Sequence, residues 1–325
     1  MIIGFLSNKL TLRGTEVNLY DYAHFNEKIL NNKSIIITRP FDHVKIVSPR
    51  DVHQEAYDKF TSRFEVKYYY NNQDINDIVR DNKIDILYIE KAGSPDDGLV
   101  FDCCKTIIHS VFDTTKPHGT LYTSISDFLN VHFKTNIPVL PYMVNVYDTN
   151  EDLRTKLNIP KDAIVFGSMS GADEYTIDYV KNVVINVSQT NKNIYFVFLN
   201  IDKFGPDNDN LKFLAGTSDM KYKRMFINTC DAMLYGRSGG ETFGLACGEF
   251  SVSNKPVIGR ANEVGNSHEL ILKDDMIKHT CYEECYDIVT NWNKYKKDVS
   301  NNGYKYYTPE NVMKNFDYYL KKIME

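Results

Sequence analysis

Two glutamates with seven residues between them, Glu241 and Glu249, lie in the part of the sequence whose residue types best suit chemistry. A glycine-rich turn, residues 236–240, comes directly before Glu241 and follows a short apolar run of strand type, residues 231–235. Apolar residues at helical spacing begin at Thr242, which the pattern predicts as the helix N-cap. A strand, a glycine loop and a helix N-terminus in this order collect unpaired N–H groups and the positive end of a helix dipole. The sequence therefore predicts a phosphate or diphosphate site.

The two carboxylates extend this prediction to a longer ligand. If both lay along the helix and its first turn, they would be roughly 12 Å apart at about 1.5 Å per residue. A nucleotide sugar carries hydroxyls at both ends, on the hexose and on the ribose, and ionised carboxylates accept hydrogen bonds from hydroxyls. The spacing predicts one carboxylate at each end of such a ligand. Taken alone, the loop is also compatible with an ordinary strand-to-helix connection.

The run from Ser238 to Leu245, together with Glu249 and the Asn-Lys-Pro-Val-Ile sequence at 254–258, resembles the signature of retaining GT-B glycosyltransferases, close to glycosyltransferase family 4. The resemblance implies an α/β fold of two Rossmann-like doubly wound domains that face each other across a cleft. It implies that Glu241 lies near the donor sugar hydroxyls and that Glu249 binds the ribose. It also implies that the diphosphate is bound by the backbone amides of Thr242, Phe243, Gly244 and Leu245.

Two N-terminal segments resemble other parts of the same transferases. Gly14 and Thr15 belong to a loop that in the family lies over the reacting sugar and phosphates, and Arg13 takes the place of the first of two glycines there. Arg13 either adds positive charge to the cleft or is an ordinary surface residue. His109 ends a predicted strand before a variable loop and a Ser-x-Asp helix start, and it resembles the histidine that hydrogen-bonds the donor sugar. His118, in that variable loop, is a second candidate.

A further strand, glycine loop and helix begins at residue 163, with Gly167 in its predicted strand end. The family carries an Arg directly after this glycine and a Lys a few residues later, whereas this chain has Ser168 and no Lys before Lys181. A diphosphate leaving group develops negative charge, which fixed cations stabilise. Arg237 and the helix N-terminus are expected to supply part of that charge. Ser168 in place of the usual Arg leaves two alternatives, a donor site that binds the diphosphate differently or an enzyme with weakened activity.

Short apolar strands alternate with helices in both halves of the chain, which predicts two parallel, doubly wound sheets with their sites at the carboxyl ends of the strands. We expect an N-terminal acceptor-side domain over residues 1–147 and a nucleotide-sugar-binding domain over 148–307. A helix over 308–325 is expected to pack back on the N-terminal domain. The pattern also predicts strands at 44–47 and 139–146, a loop near the donor at 261–267 and a helix over 282–298.

Composition excludes several function classes. The 325 residues include 38 basic and 43 acidic side chains, for a formal net charge of −5 without a basic tract, which argues against a nucleic-acid partner. No run approaches the roughly 18 apolar residues of a transmembrane segment, and residues 1–6 suit a strand better than a signal peptide. Six scattered cysteines indicate a reduced, cytoplasmic setting. No Asp-x-Asp metal motif occurs in a suitable loop, and no zinc-type spacing occurs, so no metal and no cofactor is expected.

The sequence thus predicts a retaining, metal-independent transfer of a hexose-type sugar from a nucleoside diphosphate sugar, with UDP and GDP undecided, to a hydroxyl of a glycan or glycoconjugate. Glu241 and His109 are the predicted catalytic residues, which position the sugar. The family retains configuration by front-face attack, with the leaving phosphate helping to deprotonate the acceptor, so no enzymic nucleophile is required. Two alternatives are a catalytically degenerate nucleotide-sugar-binding protein and a GT-B sugar epimerase, which would need further carboxylates. A dehydrogenase is excluded because GxGxxG is absent.

Overall fold

The chain forms two compact units, each built around one parallel sheet. A computed structural model describes residues 1–47, 53–97, 99, 101–261 and 266–325. Unit 1 comprises residues 1–143 and 307–325, and unit 2 comprises residues 144–306. Each unit contains a six-stranded sheet in which the paired strands run parallel.

The strands are short and mostly apolar, as expected for sheets that are covered on both faces. In unit 1 they are β1 (Ile2–Leu6), β2 (Lys33–Thr38), β3 (Glu65–Tyr68), β4 (Ile86–Lys91), β5 (Lys105–Ser110) and β6 (Leu121–Ser124). In unit 2 they are β7 (Ile164–Met169), β8 (Ile194–Leu199), β9 (Leu211–Leu214), β10 (Ala232–Leu234), β11 (Val257–Arg260) and β12 (Ile277–His279). The strand orders are β3-β2-β1-β4-β5-β6 and β12-β11-β10-β7-β8-β9.

Helices connect the strands. In unit 1 they are α1 (Gly14–Lys28), α2 (Phe41–Val47), α3 (Gln54–Arg63), α4 (Asn72–Asp81) and α5 (Asp127–Phe133). In unit 2 they are α6 (Asp178–Thr190), α7 (Met220–Thr229), α8 (Leu245–Val252), α9 (Ser267–Leu272), α10 (Tyr282–Thr290) and α11 (Trp292–Tyr295). Helix α12 (Pro309–Met324) belongs to unit 1. The two strand orders are those of doubly wound α/β folds, in which ligands bind at the carboxyl ends of the strands.

Helix α12 completes the core of unit 1. It begins with Pro309 in its first turn, and the Thr308 hydroxyl accepts a hydrogen bond from an N–H of that turn. Its Phe316 ring packs edge-on against Tyr22 of α1, with ring centroids 5.1 Å apart, and Tyr22 in turn stacks on Tyr88 of β4 at 5.3 Å. Because these side chains are fully buried, they fix α1 and α12 over the sheet.

Helix α6 covers the sheet of unit 2 through a stripe of valines. Val180, Val183, Val184 and Val187 follow the spacing of one helix face, and all four are fully buried. They share a core with Phe166 and the other apolar residues of β7 and β8. Burial of each such side chain contributes about 1.5–3 kcal/mol, so this stripe holds α6 in place.

Three predicted elements differ from the structure. Residues 44–47 lie in helix α2, where Val44 is buried while Ile46 is 83% exposed. A run of β-branched residues favours a strand only where neighbouring strands can pair with it, so the prediction of a strand here is wrong. The predicted strand at 139–146 is also wrong, because only Val139 makes a β-bridge, to Ser124. The predicted helix over 282–298 is interrupted at Asn291, between α10 and α11.

Candidate functional site

The glycine loop of unit 2 leaves the sheet at the carboxyl end of β10. The Gly236 carbonyl accepts hydrogen bonds from the N–H groups of Thr176 and Ile177, at 2.7 and 2.9 Å, just before α6 begins. The Tyr175 hydroxyl donates to the Leu234 carbonyl at 3.2 Å. A Cβ atom at Gly236 would overlap the Tyr175 ring, so this position requires glycine for close packing. The loop is therefore anchored by the segment that leads into α6.

Helix α8 begins at Leu245, and the prediction of Thr242 as its N-cap is wrong. Gly244 occupies the N-cap with a left-handed φ of 84°, and no side chain of the described residues caps the helix. A Cβ atom at Gly244 would lie 2.8 Å from the Tyr304 hydroxyl, so both the dihedral angle and the packing favour glycine. The chain turns at this glycine, so the helix begins two residues later than predicted.

The N-terminus of α8 has backbone N–H groups that find no acceptor within the helix. The first helical bond runs from the Gly248 N–H to the Gly244 carbonyl, at 2.9 Å. The N–H groups of Leu245, Ala246 and Cys247 precede this bond and have no acceptor inside the helix. Phe243, directly before the N-cap, is buried, and its carbonyl accepts the Tyr304 hydroxyl at 2.6 Å. The geometry suits an anion at the start of α8.

Glu241 lies in the loop, before α8 begins, so the rise of a helix does not set its distance from Glu249. Its two carboxylate oxygens contact the Tyr235 hydroxyl and an Arg237 nitrogen, each at 3.3 Å. The side chain is 21% exposed. Burial raises the pKa of Glu241 despite the nearby Arg237 guanidinium. The carboxylate can therefore accept a hydroxyl hydrogen bond at a partly desolvated position.

Arg237 is held between two acidic side chains. One nitrogen contacts Glu241, and the other lies 3.5 Å from a Glu174 oxygen. Burial opposes the charge of the guanidinium, but Glu241 and Glu174 outweigh this effect and raise the pKa of Arg237. Because these carboxylates already balance its charge, Arg237 stabilises a diphosphate less than an unpaired arginine would.

Glu249 is buried in α8 and forms an ion pair that sequence analysis did not predict. Its carboxylate lies 2.5 Å from the Lys223 ammonium of α7, and the Glu249 side chain is 3% exposed. Lys223 is 17% exposed, so the pair offsets the loss of water mainly for the buried Glu249 carboxylate. Because 26 positions separate the two residues, no local pattern could have shown the pair.

Gly167 and Ser168 both lie inside β7, which continues to Met169. A Cβ atom at Gly167 would overlap the Cys230 sulfur, so glycine is required here by packing between the strand and α7. Ser168 is 2% exposed and is paired in register with Phe198 of β8. The structure therefore places Ser168 in the sheet interior.

His268 adds a residue that sequence analysis missed. It lies in the first turn of α9, is 1% exposed, and its ring centroid is 4.7 Å from that of Tyr235. Neither ring nitrogen has a hydrogen-bond partner among the described residues. Burial lowers the pKa of His268 to about 4. The predicted donor loop at 261–267 precedes it, but residues 262–265 of that loop lie outside the described residues.

In unit 1, His109 is enclosed by the protein. Its Nδ1 is hydrogen-bonded to the Tyr88 hydroxyl, and its Nε2 to the Leu140 carbonyl at 2.6 Å. The ring is fully buried, and this burial lowers its pKa to about 3. A contact with a sugar hydroxyl would require exchange of one of these hydrogen bonds. His118 lies apart in the 111–120 loop, where its Nδ1 contacts the Lys116 carbonyl at 2.8 Å.

A half-buried carboxyl group lies beside His109 in the sheet. Glu90 of β4 is paired in register with His109 of β5. Its oxygens accept hydrogen bonds from the Asn18 amide, at 2.8 Å, and from the Tyr142 hydroxyl. Burial raises the pKa of Glu90 well above its ordinary value. Sequence analysis missed this residue, although Glu90 lies near the carboxyl end of β4, where such sheets place their sites.

The start of α1 holds the remaining predicted residues. Arg13 is its N-cap and is exposed, and Gly14 begins the helix with open space where a Cβ atom would be. Thr15 follows at a half-buried position. The next residue, Glu16, is buried and accepts the Thr11 hydroxyl at 2.5 Å, and burial raises its pKa. The structure thus brings a second carboxyl group to the carboxyl-end edge of this sheet.

The described residues contain no group of three or more His, Cys, Asp or Glu side chains that could hold a metal ion. None of the helices among them is long and apolar enough to cross a membrane.

No protein-family model matches the chain, and no curated protein matches its sequence. Solved structures match along its whole length. Anabaena HepE in complex with UDP-glucose has a TM-score of 0.72 and 14% identity, covering 99% of this chain and 100% of that one. A glycosyltransferase from Rickettsia africae has a TM-score of 0.70 and 13% identity, covering 100% and 98%. Sucrose-phosphate synthase from Thermosynechococcus elongatus has a TM-score of 0.71 and 10% identity, covering 100% and 99%. The chain therefore has the two-domain α/β fold of the GT-B glycosyltransferases, as the sequence predicted.

Proposed function

We propose that this protein is a glycosyltransferase similar to family 4. It moves a hexose-type sugar from a nucleoside diphosphate sugar to a hydroxyl group of a glycan or glycoconjugate, with retention of configuration and without a metal ion. The observation that carries the proposal is the position of Glu241 beside the open N-terminus of α8, within a chain that has the GT-B fold. A carboxylate and the first backbone N–H groups of a helix, together at one loop, suit a ligand that joins a sugar to a diphosphate.

The diphosphate binds at the N-terminus of α8. The N–H groups of Leu245, Ala246 and Cys247 are its hydrogen-bond donors, and the helix dipole adds about 0.3–1 kcal/mol for a charge at this position. Glu241 accepts hydrogen bonds from hydroxyls of the donor sugar. The same donors stabilise the negative charge that grows on the leaving diphosphate, which is how this site contributes to catalysis.

Glu249 remains the proposed contact for the ribose, but it acts as part of an ion pair. Its carboxylate is already paired with Lys223, so the ribose hydroxyls approach an ion pair. Removal of Glu249 alone leaves the half-buried Lys223 ammonium without its partner, which lowers stability and obscures any effect on binding. The double variant Glu249→Gln with Lys223→Met removes both charges, and it is the appropriate test of the ribose contact.

Nucleotide binding tests the proposal first. Thermal unfolding is measured with UDP, GDP, ADP and CMP and with their common sugars, because binding to the native state raises stability by RT ln(1 + [L]/Kd). UDP comes first because HepE, which shares the fold, is seen with UDP-glucose. We expect a shift with one base that is reduced in the double variant. Absence of a shift with every nucleotide would reject the proposal.

Product analysis then tests the reaction. With the nucleotide sugar that binds and a panel of glycan acceptors, NMR of the product should show a new glycosidic bond with the anomeric configuration of the donor, in buffer containing EDTA. Inversion, or complete loss of activity in EDTA, would contradict the retaining and metal-independent parts of the proposal. Binding without any turnover would favour the degenerate binding protein, for which the buried Ser168 of β7 is the motivating feature.

A second candidate function is sugar epimerisation with hydrolysis of the nucleotide sugar. It is favoured by Glu16 and Glu90, two buried or half-buried carboxyl groups in unit 1 whose pKa values are raised by burial. Raised pKa values let carboxyl groups exchange protons near neutral pH. Release of nucleotide and of an epimerised free sugar in the absence of an acceptor would favour this reaction over transfer.

We also propose that the protein is cytoplasmic. All six cysteines are free thiols in the structure, and thiols stay reduced in the cytoplasm.

A further inference from the structure

We propose that His268 is a ligand-binding residue of the donor site, where its imidazole donates a ring N–H to a phosphate oxygen of the nucleoside diphosphate sugar. This inference rests on the proposed function, since it concerns the ligand of the same site. The proposed phosphate contact comes from α9, outside the glycine loop and α8.

The position of His268 is fixed by the loop itself. The Ser267 N–H donates to the Glu241 carbonyl at 2.9 Å, which ties the start of α9 to the glycine loop. A Cβ atom at Gly244 would lie 3.0 Å from the His268 Cβ, so His268 lies against the N-cap of α8. Its ring also packs on Tyr235, whose hydroxyl contacts Glu241. The imidazole therefore belongs to the group of residues around the open end of α8.

The two ring nitrogens lack partners in the part of the chain that the structure describes. Buried polar groups without hydrogen bonds cost free energy, and native proteins rarely keep them without a reason. The two other fully buried histidines differ from it: His109 has both nitrogens bonded, and His279 is bonded through Nδ1 to the Tyr179 hydroxyl at 3.0 Å, with only its Nε2 lacking a partner among the described residues. A ligand that supplies the missing partners explains why His268 differs.

The protonation state defines the kind of ligand. Because burial lowers the pKa of His268 to about 4, the ring is neutral at pH 7 and has one N–H donor and one bare nitrogen acceptor. A phosphate oxygen accepts the N–H, and a hydroxyl of the ligand can donate to the bare nitrogen. The nearby cations are already engaged, since Arg237 contacts two carboxylates and Lys223 is paired with Glu249. The neutral His268 N–H therefore adds to phosphate binding at the N-terminus of α8. Arg237 and Lys223 contribute less there, because carboxylates already balance their charges.

The test separates phosphate contact from general structural support. Dissociation constants for UDP, GDP and ADP, and for the matching nucleosides, are measured by calorimetry for wild type, His268→Leu and His268→Gln. For the nucleotide that binds, we expect His268→Leu to weaken the diphosphate about tenfold or more while nucleoside affinity changes less than twofold. His268→Gln keeps an N–H donor and should recover most of the affinity. His279→Leu, a buried histidine of the same unit, is the matched control and should leave the ratio of the two affinities unchanged.

Each outcome has a distinct meaning. Equal weakening of diphosphate and nucleoside, or no weakening of either, would overturn the role of His268 while wild-type binding still supported the proposed function. Failure of wild type to bind any of the three nucleoside diphosphates would overturn both. If His268→Leu fails to fold, ring ¹⁵N NMR of the wild type decides. The His268 resonances, assigned by comparison with His268→Gln, should move on addition of the diphosphate and not of the nucleoside, and unchanged resonances with both would reject the contact.

Discussion

His109 in unit 1 and His268 in unit 2 are both buried, and both are neutral at pH 7, but their surroundings differ in one decisive respect. The protein supplies a hydrogen-bond partner to each nitrogen of His109. It supplies none, within the described residues, to those of His268. A satisfied imidazole fixes its neighbours, and an unsatisfied one is available to a ligand. The difference indicates that a buried histidine is informative about binding only when its hydrogen bonds are counted.

The same contrast extends to the carboxyl groups around the two histidines. Glu90 accepts hydrogen bonds from Asn18 and Tyr142 and forms part of a closed network with His109 and Tyr88. Glu241 is held by Tyr235 and Arg237 through longer contacts of 3.3 Å and keeps a partly exposed side chain. Glu241 can therefore exchange a protein contact for a ligand contact more easily than Glu90 can.

The largest expected effect tests which region carries the chemistry. Glu241→Gln should lower kcat/KM for the nucleotide sugar by about a hundredfold to a thousandfold, the usual cost of losing one polar contact to the reacting group. Initial rates of nucleotide release measure it. Glu174→Gln is the control, because Glu174 contacts the same Arg237 from the segment before α6. Similar losses in both variants would mean that Glu241 acts only by holding Arg237.

A smaller effect on stability compares the two histidines directly. His109→Leu leaves the Tyr88 hydroxyl and the Leu140 carbonyl without their partner and should cost about 2–4 kcal/mol of unfolding free energy. His268→Leu removes nitrogens that have no described partner, so the free energy should change by less than about 1 kcal/mol. Urea denaturation of both variants provides the values. A large loss in His268→Leu would show that the ring has an essential structural contact.

The smallest effect concerns pH. Burial lowers the pKa of His268 to about 4, below its ordinary value of 6.5. Between these values the unfolded chain binds more protons than the folded protein, so stability falls as the pH is lowered. His268→Gln removes this contribution. When the pH is lowered from 6 to 5, the free energy of unfolding of the variant should fall by about 1 kcal/mol less than that of wild type. Identical losses, measured by denaturation at the two pH values, would mean that folding leaves the pKa of His268 unchanged.

Much of the fold could be predicted because its elements are determined locally. The strand β8 is an uninterrupted apolar run, and α6 carries its valines on one face, so each pattern indicates its element without help from distant residues. The start of α8 could not be predicted in this way. It depends on the positive φ of Gly244 and on the distant Tyr304 hydroxyl that packs there.

The candidate site was predicted only in part for a similar reason. Residues 236–249 form a continuous segment, so the glycine loop, Glu241 and Glu249 could be identified from their order and spacing. Lys223 and His268 come from other elements, and their proximity to this segment is a property of the folded chain. The closed hydrogen bonds of His109 were likewise invisible, because Tyr88 and Leu140 are 21 and 31 positions away.

Helix α12 has a consequence for the order in which the protein folds during synthesis. Its Phe316 and Leu320 belong to the same core as Tyr22 and Tyr88, although the ribosome makes residues 144–306 between them. Unit 2 is continuous and can fold as soon as it emerges. The first 143 residues lack α12 until the end of synthesis, so the apolar surface that α12 covers stays exposed while unit 2 is being made.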